Sequence, residues 1–391
     1  MFQSFFSGLS GMITFSSGLD NISNNIANMN TIGYRGTNSF YQALSGQNNG
    51  YGVRSDNTSI NLQSGEIRET GQATDLAISG SGYFILRDGG DYFYTRAGQF
   101  EFDADGFLVD RTTGFRVAAL NEFGNLSDIN IENYRQLNPE ATTQVNFTGN
   151  LSTGSQEGST QISVFNAQGE EIQLTFDFTN NTSTTAGSWL VSIKDENDIE
   201  IGTGEVRFAP DGSPLSGFNN ISFDIPASAN GSSGTAQTIN LYFGEEGSFA
   251  GATSFQQGTV STVSSNLEDG RGVEGLVAIS FKEDGSLNLL YSNGDTEEPY
   301  QIALAYFNNE SNLTLVDGAY YEANSSQEPQ IGAANQGVYG SIVGESLESS
   351  NVDLVREFAE MIIIQRGYQA SSRAMNISNQ LVEQLYDNTR G

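Results

Sequence analysis

Apolar residues recur at heptad spacing at both ends of the chain, and this pattern restricts the possible folds more than any other feature. Near the N-terminus the apolar positions stand seven apart or at the alternate positions between them. They are Phe5, Met12, Phe15, Leu19, Ile22, Ile26 and Met29, with Leu9 beside them. This spacing is typical of a helix with an a/d stripe. We therefore predict a helix over residues 1–30.

A second stripe of the same spacing occurs near the C-terminus. Its members are Leu354, Phe358, Met361, Tyr368, Met375 and Val382, and it is widened by Ile362, Leu381 and Leu385. The spacing predicts a long helix from about 352 to 388, within a terminal segment 351–391. Asn351 or Ser350 is expected to cap it, with Asp353 and Glu357 near its positive end.

One apolar stripe does not stabilise a long helix in water, because ordering the backbone costs more free energy than burial of the stripe returns. The C-terminal stripe is also interrupted by polar residues such as Gln365, Ser372 and Asn379. A pair of the two terminal helices alone is therefore unconvincing. The pattern favours many copies of the chain packed together, with the termini disordered in a free monomer.

Asparagine is unusually frequent at the end of the first helix, in the stretch NNIANMNTIGYRG, residues 24–36. Buried asparagine side chains fix the register between packed helices by hydrogen bonding across them. The alternative is that these residues face solvent and fray the helix end. Gly33, just past the stripe, is a candidate left-handed terminator.

The charge of the chain excludes several classes of partner. The 391 residues include 16 basic and 47 acidic residues, a net charge of −31. Nucleic acid and anionic membranes are therefore not expected as partners. The longest aliphatic run, Met361–Ile364, is too short for membrane insertion. No basic residue precedes Arg35, so we expect export without a cleavable signal peptide.

The middle of the chain alternates apolar and polar residues in short segments, as β-strands do. Hairpin turns are predicted at Asp105-Gly106 (type I′), Asp211-Gly212, Asp284-Gly285 and Asn293-Gly294. The composition becomes rich in Ser, Thr, Gly and Asn near 138–160 and near 250–266. The predicted fold class is α+β, mainly β. The predicted parts are a helix over 1–30, an extended linker over 31–70, an inner β-domain over 71–144 and 266–350, an inserted outer β-domain over 145–265, and a helix over 351–391.

Other site types are disfavoured by the residues present. The chain has no histidine and no cysteine, which excludes Ser–His and Cys–His nucleophilic sites and disulfides. The acidic doublets at 170–171, 245–246 and 297–298 point to opposite faces of a strand, so they are not expected to be paired catalytic acids. The Asp103, Asp105 and Asp110 set lacks the spacing of a calcium loop. We expect no enzyme activity, no metal and no cofactor. An extracellular β-rich adhesin or a glycan-active protein remains an alternative class.

Several stretches resemble the bacterial flagellar axial proteins, which form rod and hook. They are NNIANMNTIGYR, SNVDLVREFAEMIIIQRGYQASSRAM, QSGEIRETGQATDLAISGSGYFIL and LEDGRGVEGLVAISFKEDGSLNLLYSNGD. The resemblance is weak over about 160–260. Met29, Tyr34 and Arg35 stand where the family usually has a smaller apolar residue, Phe and Lys. The signature positions carried over are Asn24, Asn25, Asn28, Thr31, Gly33, Tyr34, Asn351, Asp353, Gln365, Arg366 and Gln369.

The resemblance implies a tube of one repeated subunit around an export channel. The terminal helices form a coiled-coil-like inner layer, the inner β-domain a middle layer and the inserted domain the outside. The length of the chain favours the hook, a flexible coupling between motor and filament, over a distal rod or other axial component. The implied location is the extracellular hook attached to the basal body. The implied partners are further copies, the distal rod protein, the hook–filament junction protein, the hook cap and the export apparatus.

Overall fold

The computed structural model describes residues 2–45, 50–121, 123–231, 234–310, 313–323 and 328–390. It contains two long helices, α1 (Phe2–Ala27) and α2 (Leu354–Arg390), at the two ends of a chain that is otherwise mainly β. The predicted fold class is therefore confirmed. The chain divides into two compact units, of which unit 1 is residues 1–133, 277–290 and 295–391, and unit 2 is residues 134–276 and 291–294.

Unit 1 contains both helices and a β-domain built from two distant parts of the sequence. Its strands before residue 133 are β1 (Thr37–Ser45), β2 (Gly50–Ile60), β3 (Ile67–Glu69), β4 (Leu76–Ser79), β5 (Tyr83–Asp88), β6 (Asp91–Thr95), β7 (Phe100–Phe102), β8 (Leu108–Asp110), β9 (Arg116–Leu120) and β10 (Leu126–Asp128). A short 3-10 turn, Glu132–Tyr134, follows them.

Unit 2 carries the next strands of the chain. They are β11 (Gln136–Leu137), β12 (Gln144–Asn150), β13 (Glu157–Phe165), β14 (Glu171–Asn180), β15 (Ser188–Lys194), β16 (Glu200–Arg207), β17 (Asn220–Ile225), β18 (Gln237–Tyr242), β19 (Ala252–Thr253) and β20 (Ser264–Leu267). Two further strands, β21 (Glu274–Phe281) and β22 (Leu287–Tyr291), run through the positions where the chain passes between the units.

The chain then completes unit 1 with its last strands. They are β23 (Thr296–Glu297), β24 (Gln301–Tyr306), β25 (Leu313–Asp317), β26 (Tyr320–Ala323), β27 (Gln330–Ala333), β28 (Ser341–Gly344) and β29 (Ser346–Glu348). The main sheet has the order β25-β26-β6-β5-β24-β9-β8-β7, so early and late segments interleave. Tyr83, Ile85, Tyr94, Phe307 and Tyr321 are buried in one cluster on this sheet.

The segment 31–70, predicted as an extended linker, contains the antiparallel hairpin β1–β2. The hairpin packs against α1, where the Thr14 hydroxyl donates to the Val53 carbonyl at 3.1 Å. Strand β3 then pairs with β29 near the other end of the chain. Local sequence does not show these contacts, because they depend on segments far away along the chain.

Helix α2 begins one residue after Asp353, whose carboxylate accepts the Val355 and Arg356 amides at 2.9 and 3.3 Å. Asp353 is therefore the N-cap, and the prediction of Asn351 or Ser350 as the cap is wrong. Asn351 is used differently, as described below. Helix α1 ends at Ala27, six residues before Gly33, so Gly33 is not its immediate terminator.

Unit 2 has its own core between two sheets. One sheet has the order β13-β14-β15-β16, and the other β17-β18-β12-β19 with β20 paired to β12. Rings from both sheets meet in the core, including Phe147 stacked on Phe243 at 4.6 Å and Phe176 edge-on to Phe147. Trp189 is fully buried there and donates to the Ser254 hydroxyl at 3.2 Å.

The predicted turn glycines all adopt the left-handed backbone: φ is 80° at Gly106, 84° at Gly212, 83° at Gly285 and 91° at Gly294. Asp105 is not among the residues with positive φ. A type I′ turn needs positive φ at both central residues, so that turn type is wrong at 105–106. The Asp103 carboxylate instead accepts the amides of residues 105 and 107.

Candidate functional site

The two terminal helices pack on each other through glycines. A Cβ added at Gly11 would lie 2.7 Å from the Ser371 hydroxyl, and one added at Gly367 would lie 2.6 Å from the Phe15 ring. One added at Gly18 would meet Ile364 at 2.9 Å and also the Tyr41 hydroxyl. The helices approach this closely because the side chains at the contact are absent.

Most of the predicted packing residues are nevertheless not fully buried in the single chain. Only Ile22 is buried, at 4% exposure. Ten are half-buried: Phe5, Leu9, Met12, Phe15, Leu19, Ile26, Met29, Leu354, Met361 and Met375. Six are exposed: Phe358, Ile362, Tyr368, Leu381, Val382 and Leu385. We call these six residues the α2 apolar surface.

Asn25 is the centre of a buried polar network at the base of the helices. Its amide nitrogen donates to the Thr37 carbonyl at 2.9 Å and to the Glu357 carboxylate at 3.2 Å. Its oxygen accepts the Thr37 amide at 3.0 Å and the Tyr34 hydroxyl at 3.3 Å. Asn21 joins the network by donating to the Thr37 carbonyl. These bonds fix α2 and the start of β1 against α1.

Glu357 is buried in this network, where one carboxylate oxygen has no hydrogen-bond partner. Burial raises the pKa of the Glu357 carboxyl, and the nearby Glu360 and Asp353 carboxylates raise it further. The Asn25 hydrogen bond and Arg356 oppose these effects. The negative charge of Glu357 is therefore held at an energetic cost in the single chain.

Glu348 binds two arginines from distant parts of the sequence. Its carboxylate lies 3.0 Å from the Arg35 guanidinium and 3.2 Å from that of Arg96, and all three side chains are buried. Arg35 also donates to the Leu62 and Gln63 carbonyls. We call Arg35, Arg96 and Glu348 the Glu348 clamp. Burial and the nearby Arg35 charge lower the pKa of Arg96.

Asn351 joins the end of β29 to the segment around β1 and β2. Its oxygen accepts the Gly36 amide at 2.8 Å. Its nitrogen donates to the Asn61 and Gln63 carbonyls at 2.9 and 2.7 Å. The residue is therefore a cross-link between the two ends of the chain.

The other signature residues fall into two groups. Near α1, Asn28 donates to the Asn24 carbonyl and accepts the Thr31 hydroxyl, which closes the helix end. Gly33 has φ 69°, and a Cβ there would collide with the Ala97 backbone. On α2, the side chains of Gln365, Arg366 and Gln369 are exposed.

One aspartate of the segment compared with a calcium loop is hydrogen-bonded within the chain. Asp110 accepts the Thr113 and Tyr320 hydroxyls, each through the same oxygen at 2.8 and 2.9 Å. Within the described part of the chain, no group of three or more acidic side chains is placed to hold a metal ion. Neither α1 nor α2, over the residues described, is long and apolar enough to cross a membrane.

Sequence reasoning named Asn25, Tyr34 and Asn351 as signature positions but did not single out Glu348 or Thr37. Glu348 is one of 47 acidic residues, and nothing in its local sequence distinguishes it. Its role depends on two arginines that are 313 and 252 residues away. One sequence feature pointed toward this cluster. Arg35 is a basic residue beside the asparagine-rich segment, at a position where the resembled family usually has Lys.

Three family models match separate parts of the chain. The flagella basal body rod protein model covers residues 7–35, and the flagellar hook protein FlgE/F/G D1 domain model covers residues 77–153. The flagellar basal body rod FlgEFG protein C-terminal model covers residues 343–387. The matched ranges cover most of α1, part of the β-domain of unit 1 and most of α2. These features define an axial protein of the bacterial flagellum.

Full-length relatives specify the family further. The chain is 30% identical over 400 residues to the flagellar hook protein FlgE of Brucella suis, covering 97% of this chain and 96% of that protein. It is 29% identical to the proteins of the same name from Borreliella burgdorferi and Escherichia coli, covering 98% of this chain and 99% of each of them. The chain belongs to the flagellar hook protein FlgE family. That membership indicates the flagellum as its location and implies assembly with identical subunits.

A solved structure agrees in fold. The crystal structure of the Helicobacter pylori flagellar hook protein FlgE2 superposes with a TM-score of 0.53 at 15% identity. It covers 72% of this chain and all of the compared chain. The similarity at this identity concerns the fold alone, and it agrees with the mainly β architecture.

Proposed function

We propose that this chain is the repeating structural subunit of the flagellar hook, a flexible helical tube that couples the motor to the filament and encloses the export channel. In the proposed tube, α1 and α2 of many copies form the inner layer. The observation that carries this proposal is the α2 apolar surface. Because these six large apolar side chains stay exposed in the single chain, they are available to other partners.

The predicted packing residues of α1 support the same arrangement. Six of the seven that lie within α1 are only half-buried in the single chain. Apolar side chains spread around two helices suit neighbours on several sides, as in a layer of many parallel helices. Exposure of this amount of apolar surface to water is unfavourable in a free subunit.

Polymer formation by the purified chain is the direct test. We expect electron microscopy to show tubes of uniform diameter for the full chain. A chain that lacks residues 1–30 should remain soluble and monomeric, because half of the inner layer is missing. Failure of the full chain to form tubes at any concentration, or tubes from the truncated chain, would contradict the proposal.

A matched pair of substitutions separates the inner layer from general surface effects. Phe358→Gln together with Ile362→Gln should abolish tube formation, since both side chains lie on the α2 apolar surface. Phe249→Gln replaces a similarly exposed ring in unit 2 and should leave tubes intact. Equal effects of the two changes would show that the α2 apolar surface has no special part in assembly.

The outer part of the tube is proposed to be unit 2, with weak contacts between copies. Residues 145–265 carry 13 acidic residues against Lys194 and Arg207, a net charge of −11. Like charges reduce adhesion between neighbouring copies, and wet polar contacts re-form easily when a bent tube turns. We assign no catalytic role to the chain.

The remaining partners follow from the family resemblance. A distal rod protein would bind at one end of the tube, and a hook–filament junction protein at the other. A hook cap would cover the growing end, and the flagellar export apparatus would deliver the subunits. These partners are part of the proposal, and no residue of this chain is assigned to them.

A further inference from the structure

An aromatic ring is held in solvent at the tip of a tight hairpin in unit 1. Phe123 is 84% exposed. The Asn121 side-chain oxygen accepts the amides of Phe123 and Asn125, each at 3.0 Å, and Gly124 has φ 74°. Strands β9 and β10 pair directly below the tip. A ring presented on a pre-formed turn loses little conformational entropy on docking, which is typical of an interface anchor.

A cavity of about 350 Å³ lies at the other end of the same hairpin. We call it the arginine pocket, and its lining residues are Arg87, Asp88, Gly89, Gly114, Arg116 and Asp128. The Asp128 carboxylate holds both guanidiniums, at 2.6 Å from Arg87 and 3.1 Å from Arg116. The pocket is therefore built by ion pairs within one chain.

The chemistry of the arginine pocket suits an aromatic ring. The Arg116 guanidinium already stacks on the Phe107 ring, 3.8 Å from its centroid, and its side chain is still 46% exposed. The Arg87 guanidinium lies 5.9 Å from the Tyr92 ring. A planar guanidinium has two faces, so a ring on one face leaves the other for a second cation–π contact.

The ring and the pocket lie at opposite ends of one rigid element. Arg116 begins β9 and Leu120 ends it, so the strand alone separates them by about 13 Å at 3.3 Å per residue. Because strands β9 and β10 hold the ring and the pocket apart, the ring does not reach the pocket of its own chain. A contact between the ring of one copy and the pocket of the next would be head-to-tail, and such contacts propagate into helical polymers.

We propose that Phe123 of one subunit docks in the arginine pocket of the next copy along the polymer. This inference rests on the proposed assembly into a tube. The contact would connect β-domains of successive copies, in addition to the helices of the inner layer. It would give Arg87 and Arg116 a role between copies in addition to their ion pairs with Asp128 within the chain.

Photo-crosslinking in assembled tubes is the direct test, because it keeps an aromatic ring at the position. The photoreactive analogue p-benzoylphenylalanine replaces Phe123, tubes are irradiated, and cross-linked peptides are identified by mass spectrometry. We expect products between copies that map to residues 87–89 or 114–116. The same analogue at exposed Phe249, in unit 2, is the matched control and should give no product in these segments.

The two proposals fail in different ways. If tubes form but the cross-links from position 123 map elsewhere or are not formed, the docking inference is overturned and the proposed function stands. If the unmodified chain forms no tubes, the proposed function itself has failed. If the analogue at 123 prevents tube formation while the analogue at 249 does not, the added benzoyl group blocks a contact at position 123, and the substitution series described next decides whether that contact needs the ring.

A substitution series measures the contribution of the ring. Phe123→Ala and Phe123→Leu should each raise the lowest concentration at which tubes form by about tenfold, the effect expected of an anchor residue. Phe123→Tyr keeps the ring face and should assemble like the unmodified chain. Phe123 is exposed in the single chain, so these changes leave folding intact. Equal assembly of the Ala, Leu and Tyr variants would contradict the inference.

Discussion

Glu348 shows how single buried residues hold the two ends of the chain. Its carboxylate binds one arginine that follows α1 and another within the β-domain. The cost of burying the Glu348 carboxylate is offset by its attraction to two guanidiniums. Each buried guanidinium in turn needs this carboxylate as its counter-charge. Each arginine also has a buried Nε without a hydrogen-bond partner, so no further hydrogen bond at that atom would offset the loss of the carboxylate.

Removal of the Glu348 carboxylate should therefore be strongly destabilising. We expect Glu348→Ala to lower the free energy of unfolding by about 3–5 kcal/mol, because two buried cations lose their counter-charge. Urea denaturation followed by far-ultraviolet circular dichroism measures this. Glu348→Gln keeps the shape and should lose nearly as much.

A surface ion pair provides the control for this effect. Glu66 pairs with Arg68, and both side chains are more than two-thirds exposed. Glu66→Ala should change the free energy of unfolding by less than about 0.5 kcal/mol. If Glu348→Ala costs no more than Glu66→Ala, the clamp does not contribute to stability.

The sequence allowed partial prediction of these residues. The asparagine cluster at 24–30 indicated hydrogen bonding between helices, and Asn25 does bond to Glu357 of α2. Asn24 and Asn28, in contrast, serve the local helix end. Sequence spacing alone does not separate these roles, because the difference depends on which side of α1 meets β1 and α2. Glu348 has no local signal at all.

At the scale of elements, glycines determine how α1 and α2 meet. Heptad spacing predicted both helices and favoured the packing of their apolar stripes among many copies of the chain. In the single chain, glycines lie at the contact between α1 and α2, and most of the larger apolar side chains of the stripes are only half-buried or are exposed. The hairpin β1–β2 was not predicted, because its polar sequence acquires its stability from contact with α1.

A side chain at the helix contact should separate the elements. We expect Gly18→Val to prevent tube formation, because its Cβ would lie 2.9 Å from Ile364 and collide with the Tyr41 hydroxyl. Ser222→Val adds a similar side chain at an exposed position of unit 2 and should assemble normally. Electron microscopy of both variants shows whether each forms tubes. Tubes from Gly18→Val would show that assembly does not require the close approach of α1 to α2.

At the scale of the whole molecule, the chain combines two units with separate cores. The sequence indicated an inserted β-domain over 145–265, whereas the structure groups residues 134–276 and 291–294 in unit 2. The additional residues include β11, which pairs with β21 through Gln136 and Gly275. The composition of the sequence does not predict this pairing. Gln136 precedes the first Ser- and Gly-rich segment, and Gly275 follows the second.

The inserted unit should fold without the rest of the chain. We expect a fragment of residues 138–273 to unfold cooperatively, because it contains the complete unit 2 core. Trp189 is the only tryptophan of the sequence and is fully buried in this core, so its fluorescence reports this unit alone. The urea midpoint should match that of the same signal in the full chain. A fragment with exposed tryptophan fluorescence in buffer would contradict this expectation.

The Glu348 clamp also has a mechanical consequence. Arg35 lies just after α1, and Glu348 lies just before α2. Their ion pair therefore connects the two terminal segments of the polypeptide directly. Tension along the helices would reach the clamp and enter the β-domain of unit 1 there, without stretching the inserted segment. Unit 2 could then change in length or sequence over evolution while the force-bearing route through the subunit stayed the same.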